Sequence, residues 1–143
     1  MNTLESIYVV LLRGINVGGN KKVPMAELRK ALASAGLESV QTYIQSGNII
    51  CESELSAFEL KELVRNVIEK TFGFEVSVLV LESDKWNEVI QSNPFDNFES
   101  DELYLKKLNV TFFAELLPDE VVVKIFAVVT AAESFHYHEN TWY

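Results

Sequence analysis

Cysteine is nearly absent from the chain: Cys51 is the only one in 143 residues. No internal disulfide can form, and a reducing compartment fits. Set in the apolar run Ile49-Ile50-Cys51, the thiol reads as a small buried hydrophobe rather than a nucleophile. Histidine is almost as scarce, with only His136 and His138, both close to the C-terminus. They alternate on one strand, but with no further cysteine beside them and no placed carboxylate they do not make a metal set, and solvent-facing imidazoles are the simpler reading. Neither a Ser-His-Asp nor a Cys-His arrangement can be assembled from them, so no catalytic constellation is identifiable, and neither a cofactor nor a metal is expected. Long hydrophobic runs are missing too. The apolar stretch 7–12 is too short for a signal-peptide core or a spanning helix, and 121–129 is broken by Lys124, well short of about 20 residues. The expectation is a cytoplasmic protein without a membrane segment.

Positive charge is also in short supply. Twelve Lys and Arg face 21 Asp and Glu, for a net charge of −9. A nucleic-acid binder is basic over a whole face, so nucleic acid is not an expected partner. The deficit is uneven, however. Residues 1–50 hold Arg13, Lys21, Lys22, Arg29 and Lys30 against only Glu5, Glu27 and Glu38. One basic segment in an acidic protein keeps an anion site open. The acidic stretch Asp96, Glu99, Asp101, Glu102 lacks the glycine and spacing of a calcium loop and reads as solvated loop.

The apolar pattern predicts two units. Residues 5–13 are a near-continuous apolar run, the mark of a strand with neighbours on both sides. After a loop with Gly14, Gly18 and Gly19, Pro24 suits a first helical turn; Met25, Leu28, Leu32 and Ala35 step by three and four, and Gly36 closes the helix. Strands over 41–44 and 48–51 are joined through Gln45-Ser46-Gly47, a hairpin signal. Ser56 and Glu59 have capping-box spacing ahead of an apolar stripe of Leu60, Leu63, Val64, Val67 and Ile68 that ends at Gly73. Residues 75–81 alternate as a strand. Strand, helix, strand, strand, helix, strand is the ferredoxin-like order. The second half begins with a helix over 84–91, stopped by Asn93-Pro94, then a strand over 108–113. Residues 121–129 are rich in β-branched side chains, which favour strand. The acidic first turn after Pro118, and Val122, Ile125, Phe126 and Val129 on one face, predict helix instead. A strand over 134–138 and the opening of a hairpin partner at 141–143 follow. The fold class is thus α+β: duplicated ferredoxin-like units, residues 1–82 complete and residues 83–143 a connecting helix plus an incomplete second copy.

Four strings carry a family resemblance: Leu11-Leu12-Arg13-Gly14-Ile15-Asn16-Val17-Gly18-Gly19; Lys22-Val23-Pro24-Met25 with Leu28; Thr42-Tyr43-Ile44-Gln45-Ser46-Gly47-Asn48; and Asn93-Pro94-Phe95. With them the chain resembles, along essentially its whole length, the domain-of-unknown-function family 1697. That resemblance implies two ferredoxin-like halves and no established activity. It also implies a C-terminally shortened member, since relatives continue with a Gly-Arg-Ser-Lys-like and a later Arg-Asn-Trp-Asn-like segment.

Topology locates a candidate site. In the predicted unit the loop leaving the first strand and the hairpin joining strands two and three lie at one end of the sheet. That end gathers Arg13, Gly14, Asn16, Gly18, Gly19, Lys21, Lys22, Gln45, Ser46 and Asn48. Loop amides with a helix N-terminus can cradle an anion. The spacing from Gly14 to Gly19 is that of a phosphate loop, but Asn20-Lys21 stands where Lys-Ser/Thr is required, so this is no Walker motif. The same glycines also serve a tight turn whose asparagines bond to backbone. An RNA-binding sheet needs aromatics on its central strands; only Tyr8 is in the first and the third has none. The expected function is a binding module for a small anionic ligand, a nucleotide or phosphorylated metabolite. The alternative is a homodimeric protein–protein interaction module without a small-molecule site, since an incomplete second copy leaves apolar surface and a strand edge uncovered.

Overall fold

The computed structural model describes residues 4–95, 109–128, 134 and 136–143. The chain is a mixed α/β protein dividing into two compact units, Met1–Trp86 and Asn87–Tyr143. Among the described residues no helix is long and apolar enough to cross a membrane.

In the first unit the strands β1 (Ser6–Arg13), β2 (Glu38–Tyr43), β3 (Asn48–Ser53) and β4 (Ser77–Glu82) alternate with helices α1 (Met25–Ser34) and α2 (Ala57–Phe72) in the predicted sequence. They form one sheet ordered β2-β3-β1-β4, and each neighbouring pair is antiparallel. β1 is central, which explains its unbroken apolar run: alternate residues must serve two faces. Tyr8, Val10 and Leu12 join Ile49, Cys51 and Val78 beneath Leu28 and Leu32 of α1 and Leu60, Val64 and Ile68 of α2. Burying side chains of this size stabilises the fold by about 1.5–3 kcal/mol each. Helix α2 carries its predicted capping box, Glu59 N–H donating to Ser56 Oγ and Ser56 N–H to the Glu59 carboxylate. That backbone hydrogen bond holds the Glu59 carboxyl below the usual range. Within the predicted stripe, Leu60, Val64 and Ile68 are fully buried, while Leu63 and Val67 are only partly covered.

Strand β2 starts three residues earlier than the pattern indicates. A register shift between Glu38 and Gln41, with Ser39 at φ 49, lets the polar Glu38-Ser39 segment pair; a bulge of this kind breaks the alternation that would advertise a strand. Ile44, expected to end that strand, sits at φ 52 and belongs to the turn. Strand β3 runs on to Ser53, whose Oγ accepts a hydrogen bond from Leu55 N–H at 3.1 Å.

Helix α3 (Ser83–Gln91) follows β4 directly. Among the described residues of the second unit, β5 (Thr111–Phe112), β6 (Tyr137–His138) and β7 (Thr141–Trp142) form a sheet ordered β5-β7-β6, and α4 (Asp119–Ala127) lies between β5 and β6 in the chain. The β-branched segment is indeed helical. Phe126 of α4 meets Trp142 at 5.0 Å between ring centroids, and Trp142 meets Tyr137 at 5.6 Å. The residues expected to open a hairpin partner do so: β7 pairs antiparallel with β6, Thr141, Trp142 and Tyr143 are buried, and the Tyr143 hydroxyl donates to Val89 O at 2.7 Å. Leu108, Val129, Phe135 and the acidic Asp96–Glu102 stretch lie outside the described residues.

Gly47 is the tightest glycine of the first unit. It is buried at φ +85, and an added Cβ would lie 2.6 Å from Leu12 Cβ and 2.9 Å from Ile15 Cδ1. Gly73, at φ +82, has nothing within 4 Å. Gly47→Ala is therefore expected to cost about 2–4 kcal/mol through overpacking and backbone strain together. Gly73→Ala should cost about 1–2 kcal/mol from backbone strain alone. Denaturant unfolding checks the order: equal losses would mean the hairpin does not press against β1.

Candidate functional site

Every residue of the predicted site sits at one end of the first sheet, but the ten do different jobs. Asn16 bridges the two loops. Its Oδ1 accepts from Val23 N–H at 2.8 Å, and its Nδ2 donates to Val23 O at 3.0 Å and to Gln45 O at 2.7 Å. Only one orientation of the carboxamide satisfies all three partners. Asn16 N–H also donates to Lys21 O at 3.0 Å, and Asn20 N–H to Val17 O at 3.1 Å, closing a small loop with Gly18 and Gly19 at its exposed tip and Gly14 at its start. On the other flank Lys21 Nζ donates to Glu75 O at 3.0 Å and lies 6.0 Å from the Phe74 ring centroid. The loop thus spans the sheet end, tied to the β2–β3 hairpin by Asn16 and to the segment before β4 by Lys21.

The hairpin is equally self-contained. Asn48 Nδ2 donates to Tyr43 O at 3.1 Å and to Ser46 Oγ at 2.8 Å, while Gly47 O receives Leu12 N–H at 2.9 Å. Gln45 meets the loop through its backbone carbonyl. Asn16, Lys21, Ser46 and Asn48 are therefore engaged in building the loop pair. Arg13 and Lys22 are exposed and, among the described residues, their side chains have neither a hydrogen bond nor an ion pair. Arg29, on the helix-covered side, donates to Thr42 Oγ1.

Charge runs along β1. At its start Glu5, Glu38 and Glu52 bring carboxylate oxygens within 4.8 Å of one another, and repulsion from Glu38, with desolvation next, raises the Glu5 pKa. A cavity of about 360 Å³ there is rimmed by Glu5, Glu38 and Glu54. The cations Arg13, Lys21 and Lys22 are at the other end.

The face of the sheet opposite α1 and α2 holds a larger cavity, of about 520 Å³, lined by Val9, Leu11, Ile50, Tyr43 and, from α3, Trp86. The sequence reading missed it. The strand alternation in 5–13 contained the signal, because Ile7, Val9 and Leu11 face away from the helices and remain apolar.

The family model described as "Protein of unknown function (DUF1697)" matches residues 6–143. The chain belongs to this family. The DUF1697 chain is also similar to the solved structure of the conserved bacterial protein SP0830 from Streptococcus pneumoniae, at 30% identity and a TM-score of 0.75, over 97% of this chain and 76% of that one. No curated protein matches it.

Other candidate groups in the DUF1697 chain are placed plainly. Tyr8 is on the helix-covered face, buried, with its hydroxyl donating to Leu55 O at 2.7 Å. His138 Nε2 lies 3.9 Å from Glu88 Oε1, both side chains 45% exposed, an ion pair of little energetic weight when the imidazole is protonated. Glu139 joins those two within 4.8 Å; His136 instead faces Tyr143, 5.9 Å between centroids. Cys51 is buried, and desolvation, with Glu52 adding to it, pushes its thiol up to about 11.

Two outcomes follow from this geometry. Asn16→Ala should cost about 1–3 kcal/mol, the penalty for leaving Val23 and Gln45 backbone groups without their partner. Asn16→Asp should not rescue it, because its second oxygen would face two carbonyl oxygens; a chemical melt in which Asp restores full stability would refute the bridge. The thiol makes its own prediction. Folded Cys51 keeps its proton where the unfolded thiol, with a pKa of about 8.5, has lost it. Stability should fall as pH rises from about 8.5 towards 11 and be indifferent to this group below that range. Ellman's reagent at pH 8 should label the unfolded chain and leave the native one unlabelled; rapid native labelling would contradict the burial.

Proposed function

We propose that this protein is a binding module for a small anionic ligand, held at the end of the first sheet where the glycine loop meets the hairpin. The observation that carries the reading is the state of Arg13 and Lys22. They flank a loop held rigid by its neighbours, and no carboxylate pairs with them among the described residues. A fixed loop presents cations and backbone amides without an ordering cost at the moment of binding. Gly18 and Gly19 supply exposed backbone at the tip, and α1 opens beside it at Pro24 without a side-chain cap, leaving first-turn amides for an anion. The acidic cluster at the far end of β1 opposes a ligand bound there and favours the basic end. In this reading Arg13 and Lys22 hold the charge, Gly14, Gly18 and Gly19 shape the loop, and Asn16, Lys21, Gln45, Ser46 and Asn48 keep it in place.

We read the second unit as a partial copy of the first. Its strand order β5-β7-β6 places the first strand beside the third and the third beside the second, as β1, β3 and β2 are placed in the first unit. One observation favours a second function: α4 and its approach expose Leu116, Val123 and Val128, with Phe126 46% exposed. An apolar surface of this kind suits a homodimer contact.

Thermal unfolding with inorganic phosphate or pyrophosphate tests the first reading. A saturating anion at one hundred times its dissociation constant should stabilise the fold by about 2.7 kcal/mol. The Arg13→Ala, Lys22→Ala double variant should lose that gain while matching the parent in buffer alone. Absence of any anion effect sinks the module; in that event a dimer mass in sedimentation equilibrium, lost in Val123→Glu, would favour the second function.

A further inference from the structure

The anion site does not stand alone on the sheet. Strand β1 points Val9, Leu11 and Arg13 to the same face, the one opposite α1 and α2, because side chains alternate with period two. Arg13 is thus one step, about 6.6 Å, beyond Leu11 along the strand. Leu11 lies opposite Asn48 on β3, and Val9 opposite Ile50. Val9, Leu11, Asn48 and Ile50 all line the cavity of about 520 Å³. Leu11 and Asn48, which line the cavity, therefore lie one strand step from the cationic end.

Its lining is specific. Val9 is 9% exposed, while Ile50 is 48% exposed and Tyr43 72%, so the floor is laid down by the sheet and one wall stands free. Trp86, at the start of α3, supplies aromatic surface in the same cavity. Gln41 is the polar group: it is exposed, lines the cavity, and its carboxamide has no hydrogen bond among the described residues. Asn48 spends its Nδ2 on Tyr43 O and Ser46 Oγ, leaving its Oδ1 as an acceptor. A volume in the range of about 300–1,000 Å³, mostly apolar with a few convergent polar groups, is what small-molecule sites have.

We propose that the ligand is a mononucleotide. Its heteroaromatic base lies flat on Val9, Leu11 and Ile50 between Tyr43 and Trp86, and the base edge exchanges hydrogen bonds with Gln41. Its phosphate reaches Arg13 and Lys22. This rests on the anion-binding reading for the phosphate end, and it adds the base. A flat ring with a donor–acceptor edge matches an aliphatic floor, aromatic walls and a free carboxamide. A bare phosphate or a small phosphorylated chain would leave that surface unused.

Isothermal titration of the whole protein with inorganic phosphate, with adenosine, guanosine, cytidine and uridine monophosphates, and with the corresponding nucleosides decides the matter. At least one monophosphate should bind tenfold or more tightly than phosphate and quench tryptophan fluorescence, the quenching being absent in Trp86→Phe. Gln41→Ala should weaken that monophosphate about fivefold, the worth of one hydrogen bond, while leaving phosphate affinity unchanged. Arg13→Ala should weaken phosphate and monophosphate alike. If phosphate binds but every monophosphate binds no tighter, or if Gln41→Ala and Trp86→Phe change nothing, the nucleotide is wrong and the anion site stands. If neither phosphate nor any monophosphate binds, both readings fall.

Discussion

One carboxamide organises the end of the first sheet. Asn16 takes hydrogen bonds from and gives them to Val23 backbone, and reaches across to the Gln45 carbonyl. The glycine loop and the hairpin come from sequence positions 29 residues apart. Polar satisfaction fixes how they meet. A buried or half-buried backbone group without a partner costs about 1–3 kcal/mol, and Asn16 spares Val23 N–H, Val23 O and Gln45 O that cost. Close packing supports the same arrangement from below, where Gly47 lets the hairpin backbone rest on Leu12 and Ile15.

That constraint has an electrostatic consequence. Because Asn16 and Lys21 fix the loop from both flanks, Arg13 and Lys22 project from a rigid frame. The opposite end of β1 collects Glu5, Glu38 and Glu52. One eight-residue strand therefore runs from an acidic end to a basic one, past Val9 and Leu11 on the face opposite α1 and α2. Charge separation on this scale survives the protein's net charge of −9, because fields from exposed groups fade within about 8–10 Å at physiological ionic strength. The overall charge informs the choice between broad partner classes; the local charge informs the choice of ligand.

Much of this was legible in the sequence. The capping box at Ser56 and Glu59, the Gly73 stop and the stripe of α2 are local signals, and local signals need no knowledge of the partner. Strand β2 was legible only in part, because its bulge between Glu38 and Gln41 breaks the alternation on which a strand is recognised. The convergence of the loop and hairpin followed from topology. What topology could not supply was the division of labour there. Asn16, Lys21 and Asn48 look like ligand-binding groups in sequence; in three dimensions their polar atoms bond to backbone and hydroxyl groups of the fold itself. The cavity on the face opposite α1 and α2 was hidden for a similar reason. Gln41 and Trp86 lie far apart in the chain, and only the sheet order β2-β3-β1-β4 and the start of α3 bring them to one surface.

Asn16 holds the loop to the hairpin, and amide hydrogen exchange at Val23 reads that hold directly. Val23 N–H donates to Asn16 Oδ1 at 2.8 Å, whereas Lys22, its exposed neighbour, shows no bonded amide in the loop. The account predicts strong protection at Val23 and none at Lys22, with the Val23 protection lost in Asn16→Ala under conditions where β1 amides remain protected. Val23 exchanging as fast as Lys22 in the parent protein, or staying protected once Asn16 is removed, would contradict it.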